Sequence, residues 1–193
     1  MAGVPMPSYL GALAIVVLLA IVLVRVGLLR ARGVTAMRFG ELDKTDFLIP
    51  PFAFLYFYLI FAHAFGWPTL LHEEFFQSAW VSWIGVSSCA VALLLILLSL
   101  ISFGRSFRIG IDTDRPDRLV TSGIFGLTRN PMYVAFGLLL LGELLIQPNW
   151  ILLTYLVAGI GLFHRQVLRE EDYLGQHYGE EYRVYCKRVR RYL

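Results

Sequence analysis

The chain has 193 residues, of which 58% are hydrophobic and only 16% charged, with a net charge of +3 and a mean hydropathy of +0.65. A water-soluble core of this size cannot hide that much apolar surface, which excludes an ordinary soluble domain and predicts a multi-spanning membrane protein. At about 20 apolar residues per crossing there is room for roughly five helices and short connections, in one all-α domain over residues 1–193.

The first span is expected over about residues 8–29. Residues 1–7 hold no Lys or Arg, whereas Arg25, Arg30 and Arg32 end or follow the apolar run. A cleaved secretory signal carries its positive charge ahead of the apolar region, so this order predicts a retained anchor with a translocated N-terminus. The second span covers about residues 46–67, and Pro50-Pro51 should bend it or make its start irregular by removing two backbone donors. Its aromatic residues Phe52, Phe54, Tyr56, Phe57, Tyr58 and Phe61 suit a lipid-facing or packing surface. His63, a single histidine near a helix end, suits one packing hydrogen bond better than a metal site.

The connection over residues 66–79 holds His72, Glu73 and Glu74 but no Lys or Arg. The third span, about residues 80–103, starts with Trp80 and Trp83, which fit the headgroup region. The small residues Gly85, Ser87, Ser88, Cys89 and Ala90 predict a close helix contact. Residues 104–128 form the longest polar connection, with Arg105, Arg108, Asp112, Asp114, Arg115, Asp117 and Arg118. Gly104, Gly110, Gly123 and Gly126 within it permit close backbone approach to a ligand. No G-x-G-x-x-G follows a strand, so a soluble Rossmann-type site is not expected.

The fourth span runs from Pro131 to about Ile146, turns at Gln147-Pro148-Asn149, and is followed by the fifth over about residues 150–168. Proline at the first helical position loses no intrahelical bond, which places Arg129 and Asn130 just outside the helix. Glu143 lies near the far end of the fourth span, either as a functional intramembrane carboxylate or as a side chain reaching interfacial water. Beyond Leu168 the pattern changes to Arg169-Glu170-Glu171-Asp172. Tyr178, Tyr182, Tyr185, Val189 and Tyr192 then recur among Arg183, Lys187, Arg188, Arg190 and Arg191. This predicts a C-terminal amphipathic helix lying on the membrane surface, its cations suited to anionic headgroups.

With five spans, all 17 Lys and Arg fall on one side, in residues 25–44, 105–129 and 165–191. Positive residues stay cytoplasmic, so the N-terminus is expected outside and the C-terminus inside a bacterial cytoplasmic or endoplasmic-reticulum membrane. A hydrophobic hairpin then returns Arg129 and the Glu170-Glu171 pair to the same cytoplasmic face, where they can meet. Cys89 within a span and Cys186 in the tail are not expected to form a disulfide. No Cys/His cluster has zinc spacing, and no Ser/His/Asp nucleophile arrangement is readable.

Arg129-Asn130-Pro131-x-Tyr133, the hairpin, Arg169-Glu170-Glu171-x-x-Leu174 and Tyr178-Gly179-x-x-Tyr182-x-x-Tyr185 together resemble the C-terminal signature of the isoprenylcysteine carboxyl methyltransferase and phospholipid methyltransferase superfamily. The resemblance covers about residues 104–192. Two positions depart from it: Asn130 stands where the family commonly has histidine, and the usual proline after Val189 is missing. The resemblance implies a membrane methyltransferase using S-adenosylmethionine, with residues 104–193 as its cofactor-binding catalytic part. Catalytic roles are carried over to Arg129, Tyr133 and Glu171, and cofactor contacts to Arg129, Asn130, Tyr133, His164, Glu170, Glu171 and Tyr178. Glu170 or Glu171 would hold the cofactor's ammonium, and Arg129 its carboxylate or the acceptor. The implied acceptor is a lipid or lipid-modified molecule, with no nucleic-acid partner and no metal. Two other functions are compatible with the architecture: an NADPH-dependent sterol-type reductase, and a non-catalytic membrane assembly protein.

Overall fold

The computed structural model describes residues 4–31, 49–68, 74–103 and 119–193. The features expected at residues 32–48, at His72 and Glu73, and at residues 104–118 lie outside the described residues. The helices are α1 (Met6–Ala31), α2 (Ile49–Phe65), α3 (Ala79–Phe103), α4 (Pro131–Ile146), α5 (Trp150–Tyr178) and α6 (Glu180–Arg188), with a 3-10 turn at Gly123–Gly126. The chain is an all-α membrane protein: α1, α3 and α5 are long and apolar enough to cross a bilayer, and α2 and α4 are shorter apolar helices.

Local chemistry accounts for most helix ends. Pro50-Pro51 falls in the first turn of α2, where the missing donors have no intrahelical acceptor in any case. That helix stops at Phe65 because Gly66 turns to a φ of 66°, and the Trp67 amide closes back on the Ala62 carbonyl at 2.8 Å. The turn between α4 and α5 is buried and self-satisfied. The Asn149 side chain accepts from the Leu152 amide at 2.9 Å and donates to the Gln147 carbonyl at 3.2 Å, while the Pro148 carbonyl accepts from the Phe75 amide at 2.8 Å.

The largest departure from expectation is α5. It continues as one helix through Arg169 and the two glutamates to Tyr178, ten residues past the expected end of the span, and breaks only at Gly179, whose φ is 53°. The amphipathic segment is therefore divided between the last turns of α5 and α6. At about 1.5 Å per residue α4 reaches roughly 24 Å, short of a hydrocarbon core of about 30 Å, whereas α5 reaches well past it.

The interior is built around α3 and α4, which share the most extensive contact among the described helices. Gly85 and Gly142 make this possible: a Cβ on Gly85 would lie 2.5 Å from the Gly142 carbonyl oxygen, and one on Gly142 would lie 2.7 Å from that of Gly85. Ser88 reinforces the contact by donating to the Leu138 carbonyl at 2.8 Å. The small-residue patch thus divides by helical face, with Gly85 and Cys89 buried and Ser87 and Ala90 exposed. Ile15, Ala92, Ile96, Ala135, Leu139 and Leu152 extend the same core. The aromatic residues of α2 divide likewise: Tyr56 is buried against Tyr155, ring centroids 5.1 Å apart, whereas Phe54 and Tyr58 face outward with Trp80, Trp83 and Trp150.

Adding a methyl group at Gly85 or Gly142 must force α3 and α4 apart. Gly85→Ala and Gly142→Ala are each expected to destabilise the protein by about 1–3 kcal/mol. Gly137→Ala and Gly161→Ala, where a Cβ meets nothing within 4 Å, should be neutral or slightly stabilising. Thermal unfolding of the four variants in one detergent checks this.

Candidate active site

The site begins where α4 begins. Thr128 is fully buried and pairs in parallel with Arg190. The Arg129 amide donates to the Arg190 carbonyl at 2.9 Å, and the Thr128 hydroxyl donates to the Arg191 carbonyl at 3.2 Å. Asn130, the residue that caps α4, gives its carbonyl to the Val134 amide at 3.2 Å but makes no capping bond with its side chain. The side-chain amide points instead across to α5 and to residue 191.

Glu171 is the centre on which these groups converge. Its Oε1 accepts from Arg129 at 3.1 Å and from the Asn130 amide nitrogen at 3.0 Å. Its Oε2 accepts from both Nε and Nη2 of Arg191, each at 2.9 Å. Asn130 also donates to the Arg191 carbonyl at 3.1 Å. Side-chain exposure is 10% for Glu171 and 11% for Arg129, so this is a largely desolvated pair, tolerable only because its lone pairs are filled. One carboxylate between two guanidiniums leaves a local charge of about +1. The Arg191 guanidinium is held above its usual pKa, chiefly by its hydrogen bonds to Glu171. The Nε of Arg129 is buried with no hydrogen-bond partner among the described residues, a donor in place for an acceptor that comes from outside the chain.

Glu170 faces a second set of partners. Its Oε1 accepts from the Tyr133 hydroxyl at 2.5 Å and from Gln166, one turn earlier on α5, at 3.2 Å; these two bonds do not commit the other carboxylate oxygen. His164 is exposed, with Nδ1 2.8 Å from the Tyr192 hydroxyl. Seven residues either side of Glu171 place His164 and Tyr178 on its face of α5, each about two turns away. Tyr178 packs edge-on to His177 at 4.8 Å. The structure therefore brings Arg129, Asn130 and Glu171 into one cluster and Tyr133 and Glu170 into contact beside it, with His164 and Tyr178 flanking.

Thr128, Gln166, Arg191 and Tyr192 also belong to this region, beyond the residues that the motifs mark. Gln166 was within reach, one turn before Glu170 on the same helix. Arg191 carried no local signal, since its basic neighbours are alike in composition. The tyrosine stripe turns inward: Tyr182 and Tyr185 are buried, and the Tyr185 hydroxyl donates to the Phe125 carbonyl at 2.7 Å. The amphipathic α6 thus packs its aromatic face on the protein and leaves Arg183, Lys187 and Arg188 exposed. Burial holds the Tyr182 phenol above its usual pKa and pushes that of Tyr185 to about 12.

Two other groupings stand apart from this site. Glu143 is 1% exposed, with the Cys89 thiol 3.9 Å from Oε1; it does not reach interfacial water. Ten residues of helix, about 15 Å, separate it from Tyr133. Ser8, His63 and Glu74 also meet, at 3.1 Å and 3.8 Å. Both contacts use the Nε2 of His63, so this is not the relay of a nucleophilic triad, which needs one ring nitrogen for each partner. Both cysteines are free, and the described residues contain no group of three metal-ligating side chains.

The profile of the phospholipid methyltransferase family matches residues 80–181, from the start of α3 into α6. Among curated relatives, protein-S-isoprenylcysteine O-methyltransferase B of Arabidopsis thaliana is 30% identical over 116 residues, covering 58% of this chain and 59% of the relative. Protein-S-isoprenylcysteine O-methyltransferase of Xenopus laevis is 27% identical over 124 residues, covering 63% of this chain and 43% of the relative. That of Schizosaccharomyces pombe is 29% identical over 94 residues, covering 47% and 40%. The chain thus spans roughly half the length of the curated relatives it matches. No solved structure matches.

The neutral amide at position 130 is what allows three donors to share Glu171. Asn130→Asp would place a second carboxylate where an amide now donates at 3.0 Å; it should lower the thermal midpoint at neutral pH, with the deficit shrinking as acid neutralises one of the two carboxyls. Tyr185 supports the fold only while neutral. Because its folded pKa of about 12 lies above the ordinary value of 10.0, its contribution is complete below pH 10 and is lost as pH rises towards 12. Tyr185→Phe should cost about 1 kcal/mol near neutrality, with the gap from wild type narrowing on the alkaline side. Chemical unfolding of both proteins across that range measures it.

Proposed function

This chain belongs to the phospholipid methyltransferase family, and we propose that it transfers a methyl group from S-adenosylmethionine to a lipid or lipidated acceptor at the cytoplasmic interface. Residues 104–193 would form the catalytic part. The observation that carries the proposal is the convergence of Arg129, Asn130, Tyr133, Glu170 and Glu171 at one end of the α4–α5 hairpin. The placement of 17 Lys and Arg supports a cytoplasmic location for that end, with the N-terminus outside.

The residues present suit the methyl donor, whose amino-acid portion carries an ammonium and a carboxylate. The donor supplies a methyl group on a sulfonium, which is already a good leaving group. Glu170 would hold the ammonium, because its two bonds engage one oxygen only, whereas both oxygens of Glu171 are committed to Arg129, Asn130 and Arg191. Arg129 would take the carboxylate of the donor or acceptor through its buried, unpartnered Nε. Tyr133 orients Glu170, and His164 and Tyr178 would border the pocket. Catalysis would rest on alignment of the acceptor with the methyl group and exclusion of water.

Among the described residues, the groups near the cluster that could act as a base are His164, Glu170 and the tyrosines, and this bears on the acceptor. A phospholipid amine, with a lysine-like pKa of about 10, must lose a proton before it can attack, whereas a carboxylate is already a nucleophile. Asn130 cannot titrate, and Glu143 lies about 15 Å along α4 from Tyr133. A carboxylate acceptor agrees with relatives named isoprenylcysteine O-methyltransferases. Such an acceptor would enter sideways from the bilayer while the donor enters from the cytoplasm.

Calorimetry in lipid nanodiscs should show binding of S-adenosylhomocysteine, and Glu171→Gln should weaken it roughly tenfold by loosening Arg129. Binding of NADPH in place of the sulfonium cofactor would refute the proposal. Incubation with radiolabelled donor and a total lipid extract, with added prenylcysteine, should place the label in an apolar fraction as a base-labile ester. Label found only in small water-soluble acceptors would exclude lateral entry.

A further inference from the structure

The bonds around Glu171 include a partner that neither the motifs nor the family comparison assigns. After α6 ends, Val189 adopts an extended backbone, with φ −123° and ψ 135°, and residues 190–192 run alongside the segment that leads into α4. Three consecutive residues there contact both sides of the site. The Arg190 carbonyl accepts from the Arg129 amide at 2.9 Å. The Arg191 carbonyl accepts from Thr128 at 3.2 Å and from Asn130 at 3.1 Å. The Arg191 side chain grips Glu171 Oε2 with two nitrogens at 2.9 Å, and the Tyr192 hydroxyl meets His164 on α5.

We propose that residues 189–192 form a strap across the cofactor site and that Arg191 is a positioning residue, holding Glu171 in the orientation that aims Arg129 at the methyl donor. This rests on the methyl-donor reading above. Without Arg191, the remaining donor to Oε2 is Arg129 Nη2 at 3.4 Å. The carboxylate is then free to turn about its Oε1 partners, and Arg129 follows it. The Arg191 side chain is 39% exposed, so in its absence water can reach Glu171 Oε2 and fill the vacated lone pair, and the variant stays folded. The alternative role for a basic residue in this tail is to attract anionic headgroups, and Arg190 is the internal control for that role. Its side chain is exposed and carries the same charge, whereas only its backbone joins the strap.

The test uses the full chain in nanodiscs, with Arg191→Ala, Arg191→Lys and Arg190→Ala. Two quantities are read: affinity for S-adenosylhomocysteine, and hydrogen exchange of the peptide containing the Arg129 amide without ligand. Arg191→Ala should weaken binding about tenfold and speed exchange at Arg129. Arg191→Lys should recover part of both, since an ammonium restores the charge but not the two-nitrogen grip. Arg190→Ala should match wild type in both. Equal losses for Arg190→Ala and Arg191→Ala would reduce the effect to tail charge and overturn the proposal. Tighter binding by Arg191→Ala would mean that the guanidinium occupies the donor's subsite, which also overturns it. If wild type binds no S-adenosylhomocysteine, the methyl-donor reading fails along with the positioning role. The ligand-free exchange still decides the strap, with faster exchange in Arg191→Ala upholding it and unchanged exchange removing it.

Discussion

One carboxylate, Glu171, ties together the three parts of the chain that make up the candidate site. It receives Arg129 and Asn130 from the start of α4 and Arg191 from the segment after α6, while its own backbone belongs to α5. A single ion pair at this depth would struggle to offset desolvation. The arrangement holds because a second guanidinium and an amide fill the remaining lone pairs, leaving neither oxygen bare.

That cluster depends in turn on how the helices are stacked. α4 lies this close to α3 because Gly85 and Gly142 let the two backbones touch, and Arg129 and Asn130 emerge at the start of the helix so placed. The self-capped turn at residues 147–149 then sets the return path of α5. Because α5 continues unbroken past the apolar region, its last turns carry Glu170 and Glu171 on a rigid helix. Helical geometry separates the roles of the two neighbours: about 100° of rotation sends Glu171 towards the arginines and Glu170 towards Tyr133 and Gln166.

Glu143 lies apart from that cluster. It sits on α4 ten residues beyond Tyr133, enclosed by the Gly11 face of α1 and Cys89 of α3. A carboxylate in the bundle interior marks this region as distinct from the Arg129 end.

The sequence by itself determined the class of protein, the positions of the apolar helices and the pairing of one hairpin end with the other. These follow from local quantities: apolar length against bilayer thickness, proline at the first turn of a helix, and the charge on each connection. Arg129, Glu170 and Glu171 were legible as a group for the same reason, since a hairpin of known length must return its ends to one surface, whereas Asn130 and Tyr133 were marked by the family resemblance. Only the tertiary structure decided which charge meets which. Arg191 is indistinguishable in sequence from Arg190 and Arg188, and its choice as the second partner of Glu171 arises because an extended backbone after Arg188 pairs residue 190 with Thr128. The inward turn of Tyr182 and Tyr185 was likewise beyond periodicity, because an amphipathic face looks alike whether lipid or protein covers it; the Phe125 carbonyl that receives Tyr185 lies 60 residues away along the chain. Helical pattern is a property of neighbouring residues, whereas the partner of a buried charge is settled by packing between distant ones.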